Sequence, residues 1–196
     1  MNRICGVFLM ILVFLSGCAS EGLSKIKDGA LGLVGASSVN EKKLQPVSRQ
    51  VELKLFAGRS LNADDRGRGM AVVVRFYRLK DPAAFMQASY EVLADPAREK
   101  AALAADLVDV KEVAVKPGEE LSRVETLSAE APYVGVVALF RTPAPDRWRL
   151  VFAGEDKGNA KGIVLGAHAC ALTVSQGVPY NAQLVNPGSL GGVTCR

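Results

Sequence analysis

The chain is poor in the residues that catalysis most often uses. One histidine, His168, serves all 196 residues. It sits among small neighbours in the strand-like stretch Gly166-Ala167-His168-Ala169-Cys170. A general base needs a nucleophile and an orienting carboxylate within reach, yet neither a Gly-x-Ser-x-Gly elbow nor an HExxH helix occurs. His168 therefore reads as a packed strand histidine, no catalytic residue is assigned, and the chain is not expected to be an enzyme. A Cys-x-x-Cys pair is also missing, so a zinc-type ligand set is not expected. Neither sign of charge dominates: the formal net charge is +4, too mild to imply a nucleic-acid partner. After residue 18 no apolar run approaches the roughly 20 residues of a membrane-spanning helix. The lone Trp148 lies on an alternating stretch and reads as core rather than as a sugar platform.

The N-terminus has what the rest lacks. Arg3 precedes an almost unbroken apolar run from Ile4 to Leu15, followed by Ser16, Gly17 and Cys18. Early cation, short apolar stretch and small-residue cleavage site are the parts of a secretory signal. Leu15-Ser16-Gly17-Cys18 resembles the lipobox of bacterial lipoproteins. That resemblance implies cleavage after residue 17 and a covalent lipid on Cys18, with no other cofactor. Several acyl chains together hold a protein stably to a bilayer, at about 0.8 kcal/mol per buried methylene. Ala19 and Ser20, rather than an aspartate, follow the cysteine, and by the lipoprotein sorting rule they point to the outer membrane. Residues 19–48 read as a tether. Glycines at 29, 32 and 35 weaken any helix there, and a short helix and a disordered stalk are both compatible.

From Val51 the pattern turns to period two. Val51, Leu53 and Leu55 alternate with Glu52 and Lys54, as a half-buried strand requires. A polar loop follows over residues 59–69, and Met70 to Leu79 form a second strand with Val72, Val74 and Phe76 on one face. Asp81-Pro82 and Asp95-Pro96 are two helix starts, each an N-cap followed by proline at the first helical position. They predict a helical hairpin inserted at about residues 81–108. Strands resume at Val110–Val115, a Lys116-Pro117-Gly118-Glu119 turn, Leu121–Leu127, Tyr133–Arg141, Arg147–Phe152 and one long strand over Lys161–Val174. In Arg147–Phe152 the alternation puts Trp148, Leu150 and Phe152 inward and both arginines outward. The last residues, rich in proline and glycine, allow at most a short edge strand. Roughly seven or eight short strands with regular turns make the fold mainly β, an antiparallel β-sandwich over residues 49–196 with the helical insertion.

Four cysteines are present. Cys5 leaves with the signal and Cys18 takes the lipid, so Cys170 and Cys195 remain as one pair. A disulfide between them would pin the C-terminal segment and contribute about 3 kcal/mol by loop closure; two free thiols or half a metal site are the alternative. The pair Asp64-Asp65 is a conceivable metal or acid–base site, but beside Arg66 and Arg68 it reads as a self-neutralising turn. Gly67-Arg68-Gly69 opens no helix and is not a phosphate loop.

Taken in order, several segments resemble the outer-membrane lipoproteins of type VI secretion, the TssJ/SciN (VasD) family. They are Asn62-Ala63-Asp64 through Gly67, Val72 to Asp81, Phe85 with its helix, the Lys116–Glu119 turn, Tyr133 to Arg141, and Trp148-Arg149. The resemblance runs from Val51 to Phe152, behind the lipobox. It implies a transthyretin-like sandwich, no enzymatic activity and no small-molecule substrate. It also implies a role, holding the periplasmic C-terminal region of a TssM/IcmF-like inner-membrane subunit to the outer membrane. The loop expected to make that contact is Asn62, Ala63, Asp64, Asp65, Arg66, Gly67 and Arg68, with Leu61 or Met70 adding apolar area. Many members have proline where Gly69-Met70 stand, and the segment after Gly154 has no counterpart in the resemblance. The competing reading is a lipid-anchored module for a ligand or glycan, which needs an apolar pocket near Trp148 or the tyrosines.

Overall fold

A computed structural model describes residues 48–180 and 184–195. The expected signal, Cys18 and the expected tether up to residue 47 lie outside the described residues. Strand β1 (Arg49–Ala57) buries Val51, Leu53 and Leu55 while Glu52 and Lys54 face water, so its alternation becomes one buried face. β2 (Val72–Leu79) follows the loop. Next come three short helices, α1 (Ala83–Gln87), α2 (Tyr90–Ala94) and α3 (Pro96–Leu103). The remaining strands are β3 (Leu107–Val115), β4 (Glu120–Leu127), β5 (Tyr133–Ala138), β6 (Arg149–Ala153), β7 (Ile163–Ala167) and β8 (Leu172–Gln176). They form two four-stranded sheets, β4-β1-β7-β8 and β3-β2-β5-β6. Every pairing is antiparallel except β1 with β7. The two sheets share one apolar core.

The helices cover the outer face of the second sheet. Phe85 of α1 is fully buried against the Tyr77 ring, 4.9 Å between centroids. It reaches the sheet because β5 carries Gly135 there: a Cβ at that position would stand 2.9 Å from Phe85 Cζ. Beneath α2 and α3, Arg75 of β2 is 7 % exposed. Its Nη1 donates to the Leu93 carbonyl at 2.8 Å and its Nε to Glu112 at 2.7 Å. Glu99 of α3, buried as well, pairs with the same guanidinium and accepts a hydrogen bond from the Tyr77 hydroxyl. Burial opposes the Arg75 charge, but Glu112 and Glu99 outweigh it and raise its pKa; burial, reinforced by Glu99, raises that of Tyr77.

Several details differ from the sequence reading or refine it. The expected helical insertion is present and consists of three short helices, Ser89 starting α2 by accepting the Val92 N–H. Asp95 caps α3 with Pro96 first in line, whereas Asp81 lies one residue before the α1 cap and accepts the Ala83 N–H. Leu107 belongs to a strand. Lys161–Val174 is a hairpin, since the chain reverses at His168–Ala171, closed by His168 N–H to the Ala171 carbonyl at 2.9 Å. The two arginines flanking Trp148 do not point into water. Arg147 is 9 % exposed and donates to the carbonyls of Val185 and Asn186. Arg149 stacks on Trp148, centroid distance 4.8 Å, and donates to the Phe85 and Ala88 carbonyls at the end of α1. Those carbonyls have no partner within the helix, so the arginine supplies one; burial pulls its pKa down. After Gln176 no described residue is in a strand. Instead the chain straps across both sheets, with Tyr180 N–H on Val151 and Val174 N–H on Pro187, and ends at a Cys170–Cys195 disulfide.

Glu99→Ala removes the carboxylate facing a buried guanidinium and a buried phenol. It is expected to cost about 3–5 kcal/mol, read as a lower midpoint in urea denaturation, with a smaller loss for Glu99→Gln.

Candidate functional site

The segment between β1 and β2 is built from the inside. Gly58 N–H extends the β1/β7 ladder by donating to Ala167 at 2.8 Å. Leu61 is fully buried and closes that end of the core, so it is not available as contact area for a partner. Asn62 adopts φ 47°, a left-handed conformation that asparagine tolerates better than most residues. Its own N–H donates to His168. Its Nδ2 donates to the Ala71 carbonyl and its Oδ1 accepts the Arg141 N–H, both at 2.8 Å. Ala63 N–H goes to Ala169 at 3.2 Å and Met70 N–H to Leu61 at 2.7 Å.

The tip closes on Asp64. Its Oδ1 accepts the N–H groups of Arg66 (3.0 Å) and Arg68 (2.9 Å), and its Oδ2 takes the Arg68 guanidinium. The Arg68 N–H, and then its side chain, hold the Asp64 carboxyl below the usual range. With its oxygens engaged by the loop's own donors, Asp64 serves the turn rather than a metal. Gly69 lies where a Cβ would stand 2.2 Å from the Arg59 carbonyl.

The seven expected loop residues thus divide. Asn62, Ala63, Asp64 and the Gly67 turn shape the loop. Asp65, Arg66 and Arg68 face water, Asp65 at 93 % side-chain exposure. Met70 stays exposed beside them, and Arg141 braces the group, with Nη2 3.5 Å from Asp65 and Nη1 4.0 Å from Met70 Sδ. Sequence reasoning missed Arg141: its partner Asn62 is 79 residues away, and no local pattern links them.

His168 follows β7 directly. Its Nε2 lies 2.9 Å from Thr173 Oγ1, over Gly166, and burial lowers its pKa. Among the described residues no three His, Cys, Asp or Glu side chains are grouped to hold a metal, and no helix is long and apolar enough to cross a membrane. A groove of about 620 Å³ lies at the far end, lined by Asp81, Pro82, Met86, Gln87, Tyr133 and Tyr180.

The chain is thus a two-sheet β-sandwich with helices over one sheet and an ordered polar loop at one end. The chain belongs to the type VI secretion lipoprotein family: the family model described as "Type VI secretion lipoprotein, VasD, EvfM, TssJ" matches residues 49–174. The T6SS lipoprotein TssJ1 from Pseudomonas aeruginosa is 29% identical, with a TM-score of 0.57 over 70% of this chain and 99% of that one. A chain in a solved type VI membrane complex is 28% identical, with a TM-score of 0.57 over 64% of this chain and 96% of its own. A chain in the structure described as the T6SS protein TssM C-terminal domain from EAEC is also 28% identical, with a TM-score of 0.56 over 63% and 98%. No curated protein matches.

Two measurements check this anatomy. Asn62→Ala removes two side-chain hydrogen bonds and puts alanine at positive φ. A loss of about 2–3 kcal/mol is expected in chemical denaturation, against no more than about 0.5 kcal/mol for Asp65→Ala or Arg66→Ala. His168 should make stability fall on acidification. Its folded pKa lies below the ordinary 6.5, so its contribution is present above that value and lost as pH falls through the folded pKa. Thermal melts at about pH 7.5 and about pH 5 should show a larger drop for the wild type than for His168→Gln.

Proposed function

We propose that the protein is a lipid-anchored, non-catalytic component of a type VI secretion membrane complex. It is acylated on Cys18, seated at the outer membrane, and docks the periplasmic C-terminal region of a TssM/IcmF-like inner-membrane subunit. The observation that carries this reading is the preordered loop, held by Asn62 and Asp64 while Asp65, Arg66, Arg68 and Met70 stay exposed. A loop ordered before binding has less conformational entropy to lose on docking, and opposite charges steer and orient the encounter. Solved relatives described as a type VI membrane complex and as a TssM C-terminal domain structure support the partner class. The chain enters β1 at Arg49 and the loop begins after Ala57, about 27 Å further along the strand. Arg49 and the loop are therefore at opposite ends of β1.

The groove flanked by Tyr133 and Tyr180, whose rings are 5.4 Å apart, is the observation on the side of a ligand- or glycan-binding module.

The test is a titration of the domain, starting after Cys18, against the periplasmic C-terminal region of the TssM-like subunit. One-to-one binding at about micromolar Kd or tighter is expected, and it should be lost when residues 62–68 become a Gly-Ser turn. Failure to bind with both partners folded would end the docking reading and leave the tyrosine groove as the site to examine. In cells, Cys18→Ser should move the protein from the membrane to the soluble fraction.

A further inference from the structure

The docking loop leans on another turn. Its Gly58, Asn62 and Ala63 N–H groups donate in succession to the carbonyls of Ala167, His168 and Ala169, at 2.8, 3.1 and 3.2 Å. Those three carbonyls run straight into Cys170, at the tip of the β7–β8 turn. Cys170 is 3 % exposed, packed with Ala144, Ala171 and Val193. Two ties hold it from the far side: the Ala144 N–H on its carbonyl at 2.9 Å, and the disulfide to Cys195. The carbonyl that accepts from Ala63 is thus one peptide away from the cross-linked residue.

Cys195 lies at the end of the strap, 25 residues further on. Earlier parts of the strap are fastened by Tyr180 on Val151, by Pro187 under Val174 and by the Arg147 guanidinium on Val185 and Asn186. Beyond Pro187 the backbone hydrogen bonds are internal, Ser189 to Asn186 and Val193 to Leu190. The disulfide, with Val193 packed beside Cys170, fastens this last piece to the turn. The family match covers residues 49–174, so Cys170 lies within it and Cys195, with the strap that carries it, beyond it.

We propose that the Cys170–Cys195 disulfide is the positioning element of the docking loop, so that the oxidised chain presents Asp65, Arg66 and Arg68 in docking geometry and the dithiol form does not. This rests on the docking role proposed above. Reduction by an external dithiol breaks the S–S bond and transfers two electrons and two protons. Cys170 and Cys195 become thiols and the reductant closes to its own disulfide. Released from the strap, the turn moves more freely, and the loop that hydrogen-bonds to it follows. The ordering would then have to be recovered at the moment of docking.

The experiment compares the oxidised wild type, the same protein reduced under native conditions with dithiothreitol, and Cys170→Ala/Cys195→Ala. Val134→Ala, a core change in β5 at the opposite end of the sandwich, controls for general loss of stability. Two readouts are taken: amide hydrogen exchange at Asn62 and Ala63, and affinity for the TssM-like C-terminal region. Opening the disulfide is expected to speed exchange at both amides and weaken binding about tenfold, with Val134→Ala leaving both readouts near wild type. Unchanged exchange in the reduced and double-variant proteins overturns the proposal, as does faster exchange with undiminished affinity. If the double variant does not fold, the natively reduced wild type gives the same two readouts. An oxidised wild type that fails to bind the partner removes the docking role itself, while exchange still decides whether the disulfide holds the loop.

Discussion

The structure depends on covering β2 from both sides. Its inner face, Val72, Val74 and Phe76, belongs to the core between the sheets. Its outer face carries Arg75 and Tyr77, and these too are buried. A buried guanidinium needs acceptors for its donors and a counter-charge, and the helical insertion brings them: the Leu93 carbonyl from α2 and Glu99 from α3, with Glu112 from β3 at the open side. The insertion is therefore part of the sandwich's own polar accounting. The rest of the sheet adapts to it. Gly135 makes room for Phe85, Arg149 serves the carbonyls ending α1, and the Tyr90 hydroxyl donates to Phe140 beyond β5.

The loop at the end of β1 uses the same chemistry for another result. Its short polar side chains turn inward and its long charged ones outward. Asn62 and Asp64 satisfy backbone groups that the tight turns leave without partners, as Asx side chains commonly do. Arg66, Arg68 and Asp65 add little to stability where they stand, because exposed ion pairs are weak. Their positions are nevertheless defined, since the backbone beneath them is held by Leu61, by the β7–β8 turn and by Arg141. A charged surface on an ordered frame is suited to orienting a partner. The helices, the sheets and the strap together keep that frame in place.

Much of this was legible in the chain where the physics is local. The alternation at Val51, Leu53 and Leu55 needed only the two-residue period of a strand to announce a buried face. Asp95-Pro96 announced α3 because a cap acts on amides two and three residues ahead. The Lys116–Glu119 turn, the core position of Trp148 and the exposure of the 65–68 charges were readable in the same way. Other elements were not. Lys161–Val174 looked continuous because every residue in it suits a strand, and the reversal at His168–Ala171 follows from which strands it pairs with. Arg147 and Arg149 looked solvated because alternation assigns a face without saying what lies over it.

What the sequence by itself determined is therefore the set of elements, their caps and turns, and which loop carries charge. Each of these follows from propensities and hydrogen bonds spanning a few residues. What only the tertiary structure decided is which polar side chains go inside: Asn62 against Arg141, 79 residues apart, and Arg75 against Glu99, 24 apart. A buried polar group is stable only where distant parts of the chain bring it a partner, and that meeting is created by packing the two sheets and the helices together.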